Sequence, residues 1–207
     1  KLFTGGAGTD TVSMSAAGDD YEDIVDNDFS GSTFEALTLS QNKTVAITLD
    51  DKADTATDGG FTITGATGDT NTITAEADFD NAITVTGSSG VDTLDFSLSS
   101  ANLTFNDTAD ADASGIDVIT LGTGTNVITF ASAATAAAIV TLSTGTDNVT
   151  FSTGANVDDV VISDGDLTAD DTIAGDSGSD RFEVDEDVTL VDAAFENVTE
   201  MDNIVSE

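Results

Sequence analysis

The sequence predicts an all-β protein, a parallel β-solenoid with a coil of 22 residues. Three observations predict this fold. Apolar residues recur at a fixed spacing of 22 through six rows that run from residue 61 to residue 192. Each row contains two short stretches in which apolar and polar residues alternate, as expected of half-buried strands. Gly, Asp, Thr and Ser separate these stretches and mark turns.

The apolar columns indicate how the rows stack. A row of two short strands cannot bury its apolar face alone, so it must stack on its neighbours, at about 4.7–4.9 Å, the distance between paired strands. A β-sandwich is the alternative, because it also contains regular short strands. A sandwich, however, has no reason to keep a fixed spacing. One column reads Phe61, Ile83, Phe105, Val127 and Val149, and the other reads Thr74, Phe96, Val118, Val140, Ile162 and Val184.

The same register divides the chain into three parts. Residues 1–60 contain an acidic connector and irregular first coils, with strands expected at 34–40 and 44–50. Residues 61–192 form the regular solenoid, and residues 193–207 form a terminal strand or cap. GGAGTD followed by FEALT near the start is echoed by GDSGSD followed by FENVT near the end. We therefore expect a slice of a longer repetitive protein, or a subunit whose ends continue a stack.

The composition excludes several classes of function. The chain carries 40 acidic and 4 basic residues, a net charge of −36, and most of the acids are Asp, which favours turns. The negative charges of a folded chain of this kind repel one another, so the chain needs bound cations or high salt. An acidic surface of this kind also suits a halophile. We expect no binding to nucleic acid and no membrane insertion. Cys and His are absent, so the usual ligands of zinc and copper are missing, whereas carboxylate oxygens suit calcium.

The turns contain the candidate metal ligands. Residues 5–13, GGAGTDTVS, match the nonapeptide G-G-x-G-x-D-x-U-x of calcium-binding β-rolls. Looser copies are GSSGVD at 87–92 and GDSGSD at 175–180. Stacked like charges need a cation or a proton, although Asp residues that only cap turns are the alternative. The predicted calcium ligands are Gly6, Gly8, Asp10, Asp19, Asp69, Asp92, Asp117, Asp147, Asp158 and Asp180. One turn column contains Asp69, Asp92, Asp158 and Asp180, and a second contains Asn126, Asn148, Asp170 and Asp192.

These motifs, the richness in Thr, Ala and Asp, and the phrase FEALTLS resemble the RTX-like secreted proteins of Gram-negative bacteria. The chain looks most like their surface-layer proteins and large adhesins. The resemblance lies in motifs at 5–13, 87–95 and 175–183 and in composition elsewhere. It implies type I secretion, calcium-dependent folding outside the cell and self-association at the cell surface. A cell-surface polysaccharide is a further candidate partner. The 22-residue row and the lost glycines depart from a regular β-roll and imply a related β-helix.

The expected function is therefore that of an extracellular structural protein without catalysis, as part of an S-layer, a filament or an adhesin. A polysaccharide-degrading β-helix enzyme is a remote alternative. Acid pairs such as Asp158 and Asp159 fit two-carboxylate hydrolysis. An anionic sugar needs cationic partners, however, and the chain offers one Arg, three Lys and no His.

Ice or carbohydrate binding is the other alternative. Thr62 and Thr64 form a T-x-T row, and Thr84 and Thr86 form the next row. At a fixed spacing of 22 the ladder then decays, first to Asn106 with Thr108 and next to Ile128 with Phe130. A deep threonine array is not expected on this register, and Thr is a good strand residue in any case.

Overall fold

The computed structural model describes most of the chain, in twelve segments that each contain at least one β-strand or turn. The described residues are 11–14, 21–24, 36–39, 45–49, 61–64, 71–87, 92–106, 116–130, 137–151, 158–163, 165–185 and 188–206.

Within the described residues, eighteen strands form two nine-stranded parallel sheets, and successive strands alternate between them. Sheet A contains β1 (Thr11–Met14), β3 (Ala36–Leu39), β5 (Phe61–Thr64), β7 (Ile83–Thr86), β9 (Leu103–Asn106), β11 (Thr125–Thr129), β13 (Thr146–Thr150), β15 (Thr172–Ala174) and β17 (Val198–Thr199). Sheet B contains β2 (Tyr21–Ile24), β4 (Val45–Leu49), β6 (Asn71–Ala75), β8 (Asp92–Asp95), β10 (Ile116–Thr120), β12 (Ala137–Thr141), β14 (Asp159–Ile162), β16 (Arg181–Val184) and β18 (Asn203–Ser206). A 3₁₀ helix spans Asp192–Phe195.

This topology confirms the parallel β-solenoid. Each strand pairs in parallel with the next strand of its own sheet, so one coil contributes one strand to each sheet. The spacing of 22 holds where Phe61 pairs with Ile83 and where Asp159 pairs with Arg181. Other coils are shorter or longer, since Ile83 pairs with Leu103 and Thr93 pairs with Val118. The apolar ladders therefore follow a register that shifts from coil to coil.

The core lies between the two sheets and is built from the inward-facing half of each strand. Alternating burial appears in nearly every described coil, for example in β9 and β16. Phenylalanines fill the strand ends, where the rings of Phe130 and Phe151 stack at 5.4 Å and Phe105 meets Phe130 edge-on at 5.8 Å. Offset and edge-to-face contacts of this kind add to the burial of apolar area.

Glycines allow the turns before sheet A to stack closely. A Cβ on Gly145 would collide with the carbonyl oxygen of Gly124, and a Cβ on Gly124 would collide with that of Ala101. Because these contacts are with backbone, no side chain can move away to relieve them. The T-G-T turns at 123–125 and 144–146 thus need Gly at their centres.

The shifted register decides which of two adjacent apolar residues enters the core. Val127 pairs with Thr104 and is 37 % exposed, whereas Ile128 pairs with Phe105 and is fully buried. The fixed spacing of 22 had instead placed Phe105 and Val127 in one column. Coils of 20 and 23 residues on either side of β9 cause this difference.

Candidate metal centre

Half of the predicted calcium ligands lie in the described part of the chain, and all of these are buried. They are Asp92, Asp117, Asp147, Asp158 and Asp180. The other five lie outside the described residues, and for them calcium binding stays a prediction: Gly6, Gly8, Asp10, Asp19 and Asp69. Burying a carboxylate is costly unless it is hydrogen-bonded or paired with a cation, so the partners of each Asp matter.

On sheet B the buried carboxylates form a column just at the entry to the strands. The Oδ1 of Asp117 accepts the backbone N–H of Asp92 at 2.8 Å. The Oδ1 of Asp158 accepts the N–H of Ala138 at 2.8 Å, and the Oδ1 of Asp180 accepts the N–H of Asp158 at 3.2 Å. In each case the side chain of one coil binds the backbone of the coil before it. The carboxylate thus takes the place of a carbonyl where the strand ladder begins.

A second column enters sheet A and contains Asn126, Asp147 and Asp171. The Nδ2 of Asn126 donates to the Oδ1 of Asp147 at 2.8 Å, and the N–H of Asp147 donates to the Oδ1 of Asp171 at 2.8 Å. The predicted second column was wrong after its first member, because Asn126 pairs with Asp147 and not with Asn148. Asn148 and Asp170 are exposed instead. The shorter coil of 21 residues between β11 and β13 produces this shift.

The turns that precede the strands are closed by the same carboxylates. In the turn 143–147, the Oδ2 of Asp147 accepts the N–H of Ser143 at 3.0 Å. In the turn 176–180, the Oδ2 of Asp180 accepts the N–H of Asp176 at 2.7 Å, while Asp176 accepts the N–H of Gly178. Asp147 and Asp180 therefore cap turns, as the alternative interpretation of these residues states, and they also join coils.

Three of these carboxylates converge between two coils. Oxygen atoms of Asp158, Asp176 and Asp180 all lie within 4.8 Å of one another, and all three residues are buried. Backbone hydrogen bonds hold each of them in place. Gly175 borders the cluster, and a Cβ there would lie 2.7 Å from the Oδ2 of Asp180. We call this set of three residues the Asp cluster; it is a group that can hold a metal ion.

Electrostatics favour a cation or a proton at the Asp cluster. Burial raises the pKa of Asp158 to about 7, and the negative charges of Asp180 and Asp176 act in the same direction, against the hydrogen bond from Ala138. Arg181 is the sole basic residue in the described part of the chain. Its guanidinium binds Asp159 through two hydrogen bonds of 2.7 and 2.6 Å. No described basic side chain is therefore left to neutralise the cluster.

Asp147, in the other column, is also hard to ionise. Burial raises the pKa of Asp147 to about 6, although the hydrogen bonds from Asn126 and Ser143 oppose this increase. The neighbouring charges of Asp171 and Asp166 add to it. The buried carboxylates inside the solenoid are therefore costly to ionise, and protons or cations relieve that cost.

The sequence motif contains a candidate ligand that was not predicted. The motif GDSGSD at 175–180 predicts only Asp180 as a ligand, whereas Asp176 completes the cluster. Asp171, which continues the column of sheet A, was also missed. The available signal is two Asp residues four positions apart around a central Gly, because that turn brings their side chains to the same side of the backbone.

Comparison with known proteins leaves this centre to be interpreted from its own geometry. Within the described residues no helix has the length and apolar character needed to cross a membrane. No family model, no curated protein and no solved structure matches this chain.

Proposed function

We propose that this chain is a non-catalytic structural β-solenoid of an extracellular bacterial surface assembly, with Ca²⁺ at the Asp cluster joining its coils. The observation that carries the proposal is the convergence of Asp158, Asp176 and Asp180 within 4.8 Å at a buried junction between coils. A cation there neutralises three carboxylates that come from two successive coils. Its binding energy then adds to the stability of the stack.

Calcium is the cation that suits these ligands best. The chain contains neither Cys nor His, so oxygen is the ligand atom available. Ca²⁺ accepts six to eight oxygens in irregular arrangements, whereas Mg²⁺ requires a near-ideal octahedron. The backbone carbonyls of Gly-containing turns and water molecules complete such a shell without further side chains.

The placement of the carboxylates argues against catalysis. Asp158 is 3 % exposed and Asp180 is fully buried, so a polymeric substrate has no access to them. Both accept backbone hydrogen bonds that close the turn or begin a strand. The same contacts favour a role in holding coils together.

For assembly we propose a contact along strand β18 of sheet B. In β18, Ile204 is 61 % exposed and Val205 is 40 % exposed, and β18 is the terminal strand in the order of its sheet. Edge strands with apolar side chains pair readily with another strand. The occupant that we propose is the β2 edge of a second copy. Such a head-to-tail contact repeats without closing and builds a fibre.

Electron microscopy with and without calcium tests the proposal. We expect fibres or sheets in 5 mM CaCl₂, a concentration well above the roughly 10⁻⁴–10⁻³ M dissociation constants of extracellular calcium modules, and dispersed chains in chelator. Assembly that is equally extensive in chelator contradicts the role of calcium. Monomers under both conditions contradict the role in assembly.

Two variants separate the metal from the contact between copies. Asp176→Asn should abolish the increase in melting temperature that calcium produces, whereas Asp78→Asn, at an exposed turn outside the cluster, should keep it. Ile204→Lys should keep the calcium response and lose assembly, because it places a charge at the exposed edge. If Ile204→Lys assembles as the parent chain does, the end-to-end contact is wrong.

A further inference from the structure

The outward face of sheet A is uncharged through six coils. From Thr62 in β5 to Ala174 in β15, the described outward positions hold Thr, Asn, Val and Ala. The outward face of sheet B differs, since it carries Asp95, Asp159 and Arg181. In a chain with a net charge of −36, a sheet face without charge is a distinct surface.

The structural register makes this face continuous. Thr84 pairs with Thr104 and Thr86 pairs with Asn106, because the coil there has 20 residues. Thr129 then pairs with Asn106. The fixed spacing had placed Ile128 and Phe130 on this face, but both are buried in the core. The uncharged face therefore continues beyond the two T-x-T rows, although Asn106, Val127, Asn148 and Ala174 interrupt its threonines.

A shallow groove borders the face at β11 and β13. Its volume is about 530 Å³, which lies in the range of ligand-binding clefts. Thr125 and Thr146, which pair across the two strands and are both exposed, form part of its wall. The amide of Asn102 and the carboxylate of Asp170 lie along the same groove.

The chemistry of this surface identifies the kind of ligand. Hydroxyl, amide and carboxylate groups together offer donors and acceptors for hydroxyl groups. An anionic ligand is excluded by the net charge and by the absence of a described basic residue at the groove. The methyl groups of Thr and Val127 provide small apolar contacts. We propose that the outward face of sheet A and its groove bind an uncharged polysaccharide chain.

Ice is the competing ligand, because a flat face of threonines also suits ordered water. The groove favours a polymer chain over a planar lattice of water. The inference rests neither on calcium at the Asp cluster nor on assembly. It therefore survives or fails independently of the proposed function.

The test is co-sedimentation of the full chain, in calcium, with insoluble cellulose, chitin, curdlan and amylose, and with calcium alginate as the anionic probe. The double variant Thr125→Val with Thr146→Val removes two hydroxyls and keeps the side-chain shape. Its matched control is Thr120→Val with Thr141→Val, a cross-strand pair of sheet B. Asp170→Ala is a second groove variant at an exposed position.

We expect binding to at least one neutral polymer. The groove variant should raise the dissociation constant roughly tenfold or more, because two hydrogen bonds are lost, and the sheet B control should bind as the parent does. Asp170→Ala should also weaken binding. Binding to alginate alone, an equal loss in the control, or no binding to any neutral polymer overturns the proposal. Arrest of ice growth without polysaccharide binding overturns it as well and assigns the face to ordered water.

Discussion

Replacing Asp158 by Asn should stabilise the chain in chelator and remove most of its stabilisation by calcium. The substitution removes one charge from the Asp cluster and keeps an oxygen that accepts the N–H of Ala138, which lies 2.8 Å from the carboxylate. Its new amide group lies beside the carboxylates of Asp176 and Asp180, whose oxygens are within 4.8 Å of the Asp158 carboxylate. In chelator the variant should therefore be more stable than the parent chain at pH 8.

The magnitude follows from the pKa of Asp158. The folded protein raises this pKa from 3.8 to about 7, so ionisation of the buried carboxyl costs up to about 4 kcal/mol of stability. The folded pKa lies above the unfolded one, so the cost is absent below about pH 4, grows as the pH rises, and is complete above about pH 7. Relaxation of neighbouring groups reduces the figure, and we expect a gain of about 2–4 kcal/mol at pH 8.

With calcium the advantage of the variant should largely disappear. A site filled at a hundred times its dissociation constant adds about 2.7 kcal/mol to the free energy of unfolding, and the variant should lose most of this gain. The assay is urea denaturation at pH 8 in chelator and in calcium, with Asp78→Asn as the control. A variant that is less stable than the parent in chelator would refute the reasoning, since ionised Asp158 would then carry no cost in the folded chain. An equal gain from calcium in both chains would remove Asp158 from the metal site.

Three further outcomes follow from the described contacts. In chelator, the free energy of unfolding of the parent chain should fall as the pH rises from about 4 to 6, because the pKa of Asp147 is raised to about 6 in the folded state; a flat profile in urea denaturation contradicts this. Gly145→Ala should cost about 1–3 kcal/mol in a thermal melt, because its methyl group collides with the carbonyl of Gly124, and an unchanged melting temperature would show that the turns have room. Phe130→Ala should cost about 3–5 kcal/mol, because it separates Phe105 from Phe151, and a loss under 1 kcal/mol would mean that the stack collapses to fill the gap.

Most of the architecture was predictable from local alternation. Every stretch such as TNTITA or NLTFN combines β-branched or aromatic residues with period two, and each became a strand. The register was less predictable. Val127 and Ile128 are adjacent and both apolar, so alternation fits either phase, and only the pairing of Ile128 with Phe105 decides which one is buried.

The candidate site was predictable only in part, because the spacing between coils reveals some of its residues and not others. Asp158 and Asp180 are 22 residues apart and were assigned to one turn column, and the structure joins them by a hydrogen bond. Asp176 was missed because its approach to Asp180 depends on the fold of one five-residue turn, which spacing between coils does not report. Likewise, Asp170 and Asp171 are neighbours of the same type, and only the strand register buries Asp171.

Anomalous diffraction from crystals grown in calcium tests the metal centre most directly. We expect one peak about 2.3–2.6 Å from carboxylate oxygens of Asp158, Asp176 and Asp180, at the junction of their two coils. Crystals of Asp176→Asn grown in the same solution should lack this peak. Saturating calcium that leaves no peak among the three carboxylates, or peaks confined to exposed acids, would contradict a cation that joins the coils.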